Sequence, residues 1–80
     1  MRLDKFLKVS RIIKRRTVAN EACDAGRVTI NGKVAKASVD VKVGDEIEIR
    51  FGSNMTKIKV KSLNENPRKE EASLMYESMQ

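Results

Sequence analysis

Nine basic side chains lie in the first 33 residues: Arg2, Lys5, Lys8, Arg11, Lys14, Arg15, Arg16, Arg27 and Lys33. Only Asp4, Glu21 and Asp24 oppose them there, whereas residues 34–80 carry eight bases and eight acids. The whole formal net charge of +6 therefore belongs to the N-terminal part of the chain. Ammonium and guanidinium groups do no covalent chemistry here. They donate hydrogen bonds to phosphate and neutralise it, guanidinium in a two-pronged geometry. One-sided basic charge of this kind is the electrostatic footprint of a polyanion, and nucleic acid is the expected one.

Other chemistries are poorly provided for. The chain has no histidine, and so lacks the commonest general base and metal ligand. Cys23 is the only cysteine, which excludes an intramolecular disulfide. On the apolar side of a helix it reads as a buried, inert thiol. Asp45, Glu46 and Glu48 alternate across a turn and a strand, as solvated residues do, rather than facing each other as a catalytic pair. The four glycines, at 26, 32, 44 and 52, fall at element boundaries and form no phosphate loop. Eighty residues support one small core. No enzyme, no metal and no cofactor is expected.

Aromatic residues are scarce. Phe6 and Phe51 occupy core-like positions and Tyr76 is the only other one, so a platform that stacks successive bases of a single strand is not expected. Contacts to phosphate and sugar of a structured nucleic acid are. The opening MRLDKFLKVS is too charged for a signal peptide, and no apolar run approaches the roughly 20 residues of a membrane span. A soluble cytoplasmic protein with no membrane partner is expected.

The elements that must position these charges follow from periodicity. Leu3, Phe6 and Leu7 have the i, i+3, i+4 spacing of one helical face, and Val9 and Ile12 fall off it, which predicts a break near Ser10-Arg11. A second helix has Val18, Ala19, Ala22 and Cys23 on its inner face and stops at Gly26. In AGRVTINGKVAKA, Val28 and Ile30 alternate with Arg27 and Thr29, and Asn31-Gly32 tolerates the two positive φ angles of a tight hairpin. Val39, Val41 and Val43 alternate next, then Ile47, Ile49 and Phe51 after the Gly44-Asp45 turn, then Ile58 and Val60. Three or four short strands on two helices make an α+β domain. Asn66-Pro67 reads as the start of a short amphipathic helix with Ala72, Met75, Tyr76 and Met79 on one face.

The run from RLDKFL through KRRTVANEACDAGRVTINGKVAKASVDVKVGDEIEI resembles the RNA-binding domain first seen in ribosomal protein S-four, over roughly residues 1–51. The resemblance implies an S-four-like (alpha-L type) fold: two N-terminal helices on a small bent antiparallel sheet, with RNA on the helix–hairpin face. Residues 1–63 would form that domain, and 64–80 a polar linker and the short C-terminal helix. Position by position, Arg2, Asp4 and Lys5 match the start of the family's first helix. Arg16 matches its arginine at the head of the second, and Arg27, Asn31, Gly32 and Lys33 match its hairpin. Arg27 and Lys33 are expected on the same side as the basic helix starts, completing a concave cationic face.

RNA contacts are thus expected from Arg2, Lys5, Arg11, Lys14, Arg15, Arg16, Arg27, Asn31 and Lys33. Asp4 is expected to orient Arg2 or a neighbouring lysine. Lys8, Lys36, Lys42 and Lys57 read as ordinary solvated lysines. One departure is Arg15, where the family commonly has a Ser or Thr cap. Either Thr17 caps instead, or the helix start is looser and an added phosphate contact replaces the cap.

The short chain is similar to the family's stand-alone members. That implies action on obstructed large ribosomal subunits, with large-subunit rRNA and peptidyl-tRNA as partners, and a monomer is expected. A tail-elongating quality-control factor would share the same ribosome. Heat-shock ribosome rescue and ribosome assembly are the alternatives within the family. A protein-interaction module docking through the Met75-Tyr76-Met79 face is the alternative outside it.

Overall fold

A computed structural model describes residues 1–79. Helices α1 (Leu3–Val9) and α2 (Arg16–Asp24) precede a hairpin of β1 (Val28–Ile30) and β2 (Lys33–Val34). A second hairpin, β3 (Glu46–Phe51) and β4 (Asn54–Val60), is followed by a one-turn helix α3 (Lys69–Ala72) and strand β5 (Tyr76–Ser78). The strands form one antiparallel sheet in the order β2-β1-β3-β4-β5. The α+β class and two-helix layout expected from the residues are present.

One core joins the two layers. Leu3, Phe6, Leu7, Ala19, Ala22 and Cys23 of the helices pack with Val28, Ile47, Ile49, Ile58 and Val60 of the sheet. Burying side chains such as Phe6 and Leu7 stabilises the fold by about 1.5–3 kcal/mol each. On the sheet's outer face Glu46 pairs with Lys59 and Glu48 with Lys57, so opposite charges alternate there. Arg50, which alternates with Glu48, lies there too, so that face mixes its signs.

The break after α1 falls where the periodicity placed it. Ser10 caps the helix and Arg11 takes φ +63°, a left-handed conformation that glycine adopts more readily. Ile13 then returns to the core. At the other end of α2, Gly26 has φ +78° and ends the helix as expected. Asn31 and Gly32, at φ +52° and +85°, make the two-residue turn that sets Ile30 opposite Lys33.

Four expectations are corrected. Residues 39–43 form no strand beyond a single bridge between Arg2 and Asp40; only Val41 is buried, while Val43 is 62% exposed. This segment instead closes the start of α1, whose orphan donors need partners. Leu3 N–H donates to the Val39 carbonyl at 2.8 Å and Asp4 N–H to the Ala37 carbonyl at 3.2 Å. Val18 is 41% exposed, because the buried stripe of α2 runs through Ala19, Ala22 and Cys23 alone. Phe51 is 39% exposed, since β3 outruns the helices at its hairpin end.

The tail is the fourth. The amphipathic helix expected after Asn66-Pro67 is one turn, and the chain then becomes strand β5 on the free edge of β4. Asn64 Oδ1 accepts the Asn66 N–H at 3.0 Å, a local turn that delays the helix, and the Glu71 carboxylate accepts the Arg68 N–H at 2.8 Å where it begins. Met75 is buried in the core and Tyr76 packs against it. Met75, Tyr76 and Met79 therefore form no common helical face: the first two serve the core and Met79 is 41% exposed. Pairing with β4 satisfies backbone groups along an edge that a second helical turn would leave open.

Candidate nucleic-acid interface

Asp4 organises the basic end of the molecule. It sits in the first turn of α1, only 2% exposed, against the first turns of α2. A carboxylate so buried must be paired and hydrogen-bonded. Arg2 donates to it with two prongs, Nε to Oδ1 at 3.2 Å and Nη2 to Oδ2 at 3.4 Å. Arg16 Nη2 donates to Oδ1 at 3.4 Å, and its Nε lies 3.4 Å from Oδ2. Asn20 Nδ2 donates to Oδ2 at 3.2 Å, and the Lys5 N–H to Oδ1 at 2.8 Å. Burial pushes the Asp4 carboxyl up. The hydrogen bonds from Asn20, Arg16, Lys5 N–H and Arg2 outweigh it and hold the group below the usual carboxylate range.

The consequence lies on the solvent side. The Arg2 and Arg16 side chains stay 51% and 47% exposed while one buried anion fixes their inner edges. Each guanidinium has five donors, so outward-facing N–H groups remain for a phosphate. The start of α2 adds to this surface. Arg15 is its N-cap, in extended conformation with no side-chain cap, and Thr17 lies inside the helix rather than capping it. The Thr17 alternative is thus not realised, and the first-turn N–H groups beside Arg16 have no side-chain cap.

The remaining site residues divide into groups. Arg11 and Lys14, with Lys8, line one wall of a groove whose other wall is Glu65 to Pro67. Lys5 reaches that second wall, donating from Nζ to Glu65 Oε1 at 2.7 Å. Lys33 shares the helix-side face of the sheet with its partner Ile30. Arg27 does not join it. Its carbonyl accepts the Arg50 N–H at 2.9 Å, which continues the β1–β3 register, and alternation from buried Val28 turns its side chain to the other face. Asn31 holds the hairpin to the start of β3: its Oδ1 accepts the Glu46 N–H at 3.0 Å and its Nδ2 donates to Asp45 at 3.1 Å. Its amide serves the turn.

Cys23 is fully buried, and burial, with the charges of Asp4 and Asp24, pushes its thiol up to about 11. It is inert. Two participants escaped the sequence, Asn20 and Glu65. Asn20 is uncharged and joins Asp4 across 16 residues; Glu65 lies 60 residues from the lysine it meets.

Residues 1–47 match the family model described as the S4 domain. The chain belongs to the S4 domain family. Within that family it is similar to the RQC P-site tRNA stabilizing factor of Halalkalibacterium halodurans, 60% identical over 77 residues, covering 96% of this chain and 88% of the relative. The same-named protein of Bacillus subtilis is 59% identical over 76 residues, covering 95% and 88%. Among solved structures, the S4 fold here superposes on one titled as the trimeric structure of Vibrio cholerae Heat Shock Protein 15. The TM-score is 0.91 at 32% identity, over 99% of this chain and 81% of that one. The S4 match ends at residue 47, so β4, α3 and β5 lie beyond it.

Proposed function

We propose that this protein is a non-enzymatic RNA-binding factor of ribosome-associated quality control, acting in the cytoplasm on obstructed large ribosomal subunits. It grips rRNA and the peptidyl-tRNA through phosphate contacts from Arg2, Arg16, Arg15 and the lysine-bearing rim, and so assists tail elongation of the stalled nascent chain. Arg11, Lys14 and Lys33 extend the same helix-side surface. One observation carries this reading: two half-exposed arginines are held in register by a buried carboxylate at an uncapped helix start. Positioned guanidinium groups beside free helix N–H donors bind phosphate rather than merely attract it. The name of the 60%-identical relative, a P-site tRNA stabilizing factor, supports tRNA as one of the two RNAs.

Heat-shock ribosome rescue is the second reading, favoured by the structural likeness to the Vibrio protein. We take a single copy as the acting unit. Sedimentation of tagged protein with ribosomal subunits tests the proposal. It should co-migrate with large subunits that carry peptidyl-tRNA and with a tail-elongating factor. Arg16→Ala should abolish most of that signal and Lys57→Ala should leave it. Migration at the top of the gradient, or equal losses in both variants, would reject a defined RNA site.

A further inference from the structure

We propose that Glu65 is a selectivity residue: its carboxylate occupies the place of an RNA phosphate beside Lys5, and an RNA must displace it to bind fully. The inference rests on the RNA-binding reading above and concerns what that surface rejects.

The geometry carries it. Glu65 Oε1 lies 2.7 Å from Lys5 Nζ, the length of a charge-assisted hydrogen bond. It is the only acid lining the groove whose opposite wall carries Lys8, Arg11 and Lys14, none of which has an ion-pair partner among the described residues. The Asn64–Asn66 turn and Pro67 shape the segment that presents it. The pair is open to water, with the Glu65 side chain 67% exposed, and an ion pair so exposed does little for folding. Its larger effect is on ligands. A weakly fitting polyanion meets one cation already neutralised and one carboxylate in its path. A well-fitting backbone gains enough contacts to displace the carboxylate and engage Lys5. The same pair thus lowers affinity for generic RNA more than for the cognate surface, which is discrimination by repulsion.

Glu65→Gln, Lys5→Gln and the double variant separate this from other roles, using a short generic RNA duplex and large ribosomal subunits as the two probes. Glu65→Gln should bind the generic duplex roughly two- to fivefold more tightly, with a smaller gain on subunits. Its salt slope on the duplex should steepen by about 0.9, one added phosphate contact. In the Lys5→Gln background the same change should give a clearly smaller gain, because the cation it blocks is gone and only the repulsion by the carboxylate is relieved. Equal gains with and without Lys5 would mean a diffuse charge effect and would overturn the proposal. So would a lowered melting temperature with unchanged affinity, which would make the pair a structural strap. If the unsubstituted protein binds neither probe, the RNA-binding reading itself fails, and this inference with it.

Discussion

A carboxylate inside a cationic face ordinarily weakens that face for phosphate. Asp4 acts the other way, because it is buried and its two arginine partners are not. Replacing it tests geometry against charge. Asp4→Asn raises the net charge by one unit, which favours RNA if charge alone matters. It also turns an amide N–H₂ toward donors that need an acceptor, at a cost of about 1–3 kcal/mol for a buried unsatisfied group. We predict weaker RNA binding and a lower melting temperature, read by filter binding and circular dichroism. The pH dependence follows from the lowered Asp4 carboxyl. Its stabilising contribution is complete above the unfolded value near 3.8 and is lost as pH falls through the lower folded value. Melting profiles of the unsubstituted protein and of Asp4→Asn should therefore converge only in acid below about pH 4. Asp4 was legible in the sequence as an orienting residue for Arg2 or a neighbouring lysine. Its hold on Arg16 was not, because no local period links residues twelve positions apart across a helix break.

The loop after α1 shows how an element trades relaxation for function. Arg11 holds φ +63° where glycine would sit without strain. Arg11→Gly should raise stability by about 0.5 kcal/mol, the relief of left-handed strain less the added freedom of the unfolded chain. RNA affinity should fall, since a groove-lining guanidinium is gone. A loss of stability in a denaturant titration would instead assign Arg11 a structural role. Strand β5 makes the opposite case. Deleting residues 66–80 removes an edge strand and the buried Met75, and should lower the denaturant midpoint markedly. Binding by the folded fraction should persist, because the hydrogen bonds and ion pairs of Asp4, Arg2 and Arg16 among the described residues join them to one another, to Asn20 and to Lys5 rather than to the tail. The hairpin at Asn31-Gly32, the helix stop at Gly26 and the alternation of Ile47, Ile49 and Ile58 were all legible, since each rests on local backbone chemistry. The tail was misread because the spacing of Ala72, Met75 and Tyr76 fits one helical turn followed by a strand as well as it fits a helix. Only the open edge of β4 decides between them. Val39, Val41 and Val43 alternated for a similar reason, yet that segment's backbone donors and acceptors serve the start of α1.

At the scale of the whole molecule, the sheet's outer face alternates its charges while the helix-bearing end concentrates them. Such a molecule has a single electrostatic orientation toward a polyanion, and phosphate neutralisation should dominate its affinity. The measurement that reaches this most directly is the salt dependence of large-subunit binding, with Arg16→Ala in parallel. If about five phosphates are neutralised, log affinity should fall against log salt with a slope of roughly −3.5 to −4.5. Arg16→Ala should bind more weakly with a slope shallower by about 0.7–0.9 while remaining folded. A slope near zero, or an Arg16→Ala variant with unchanged affinity and slope, would contradict the assignment of this face as the RNA-binding site.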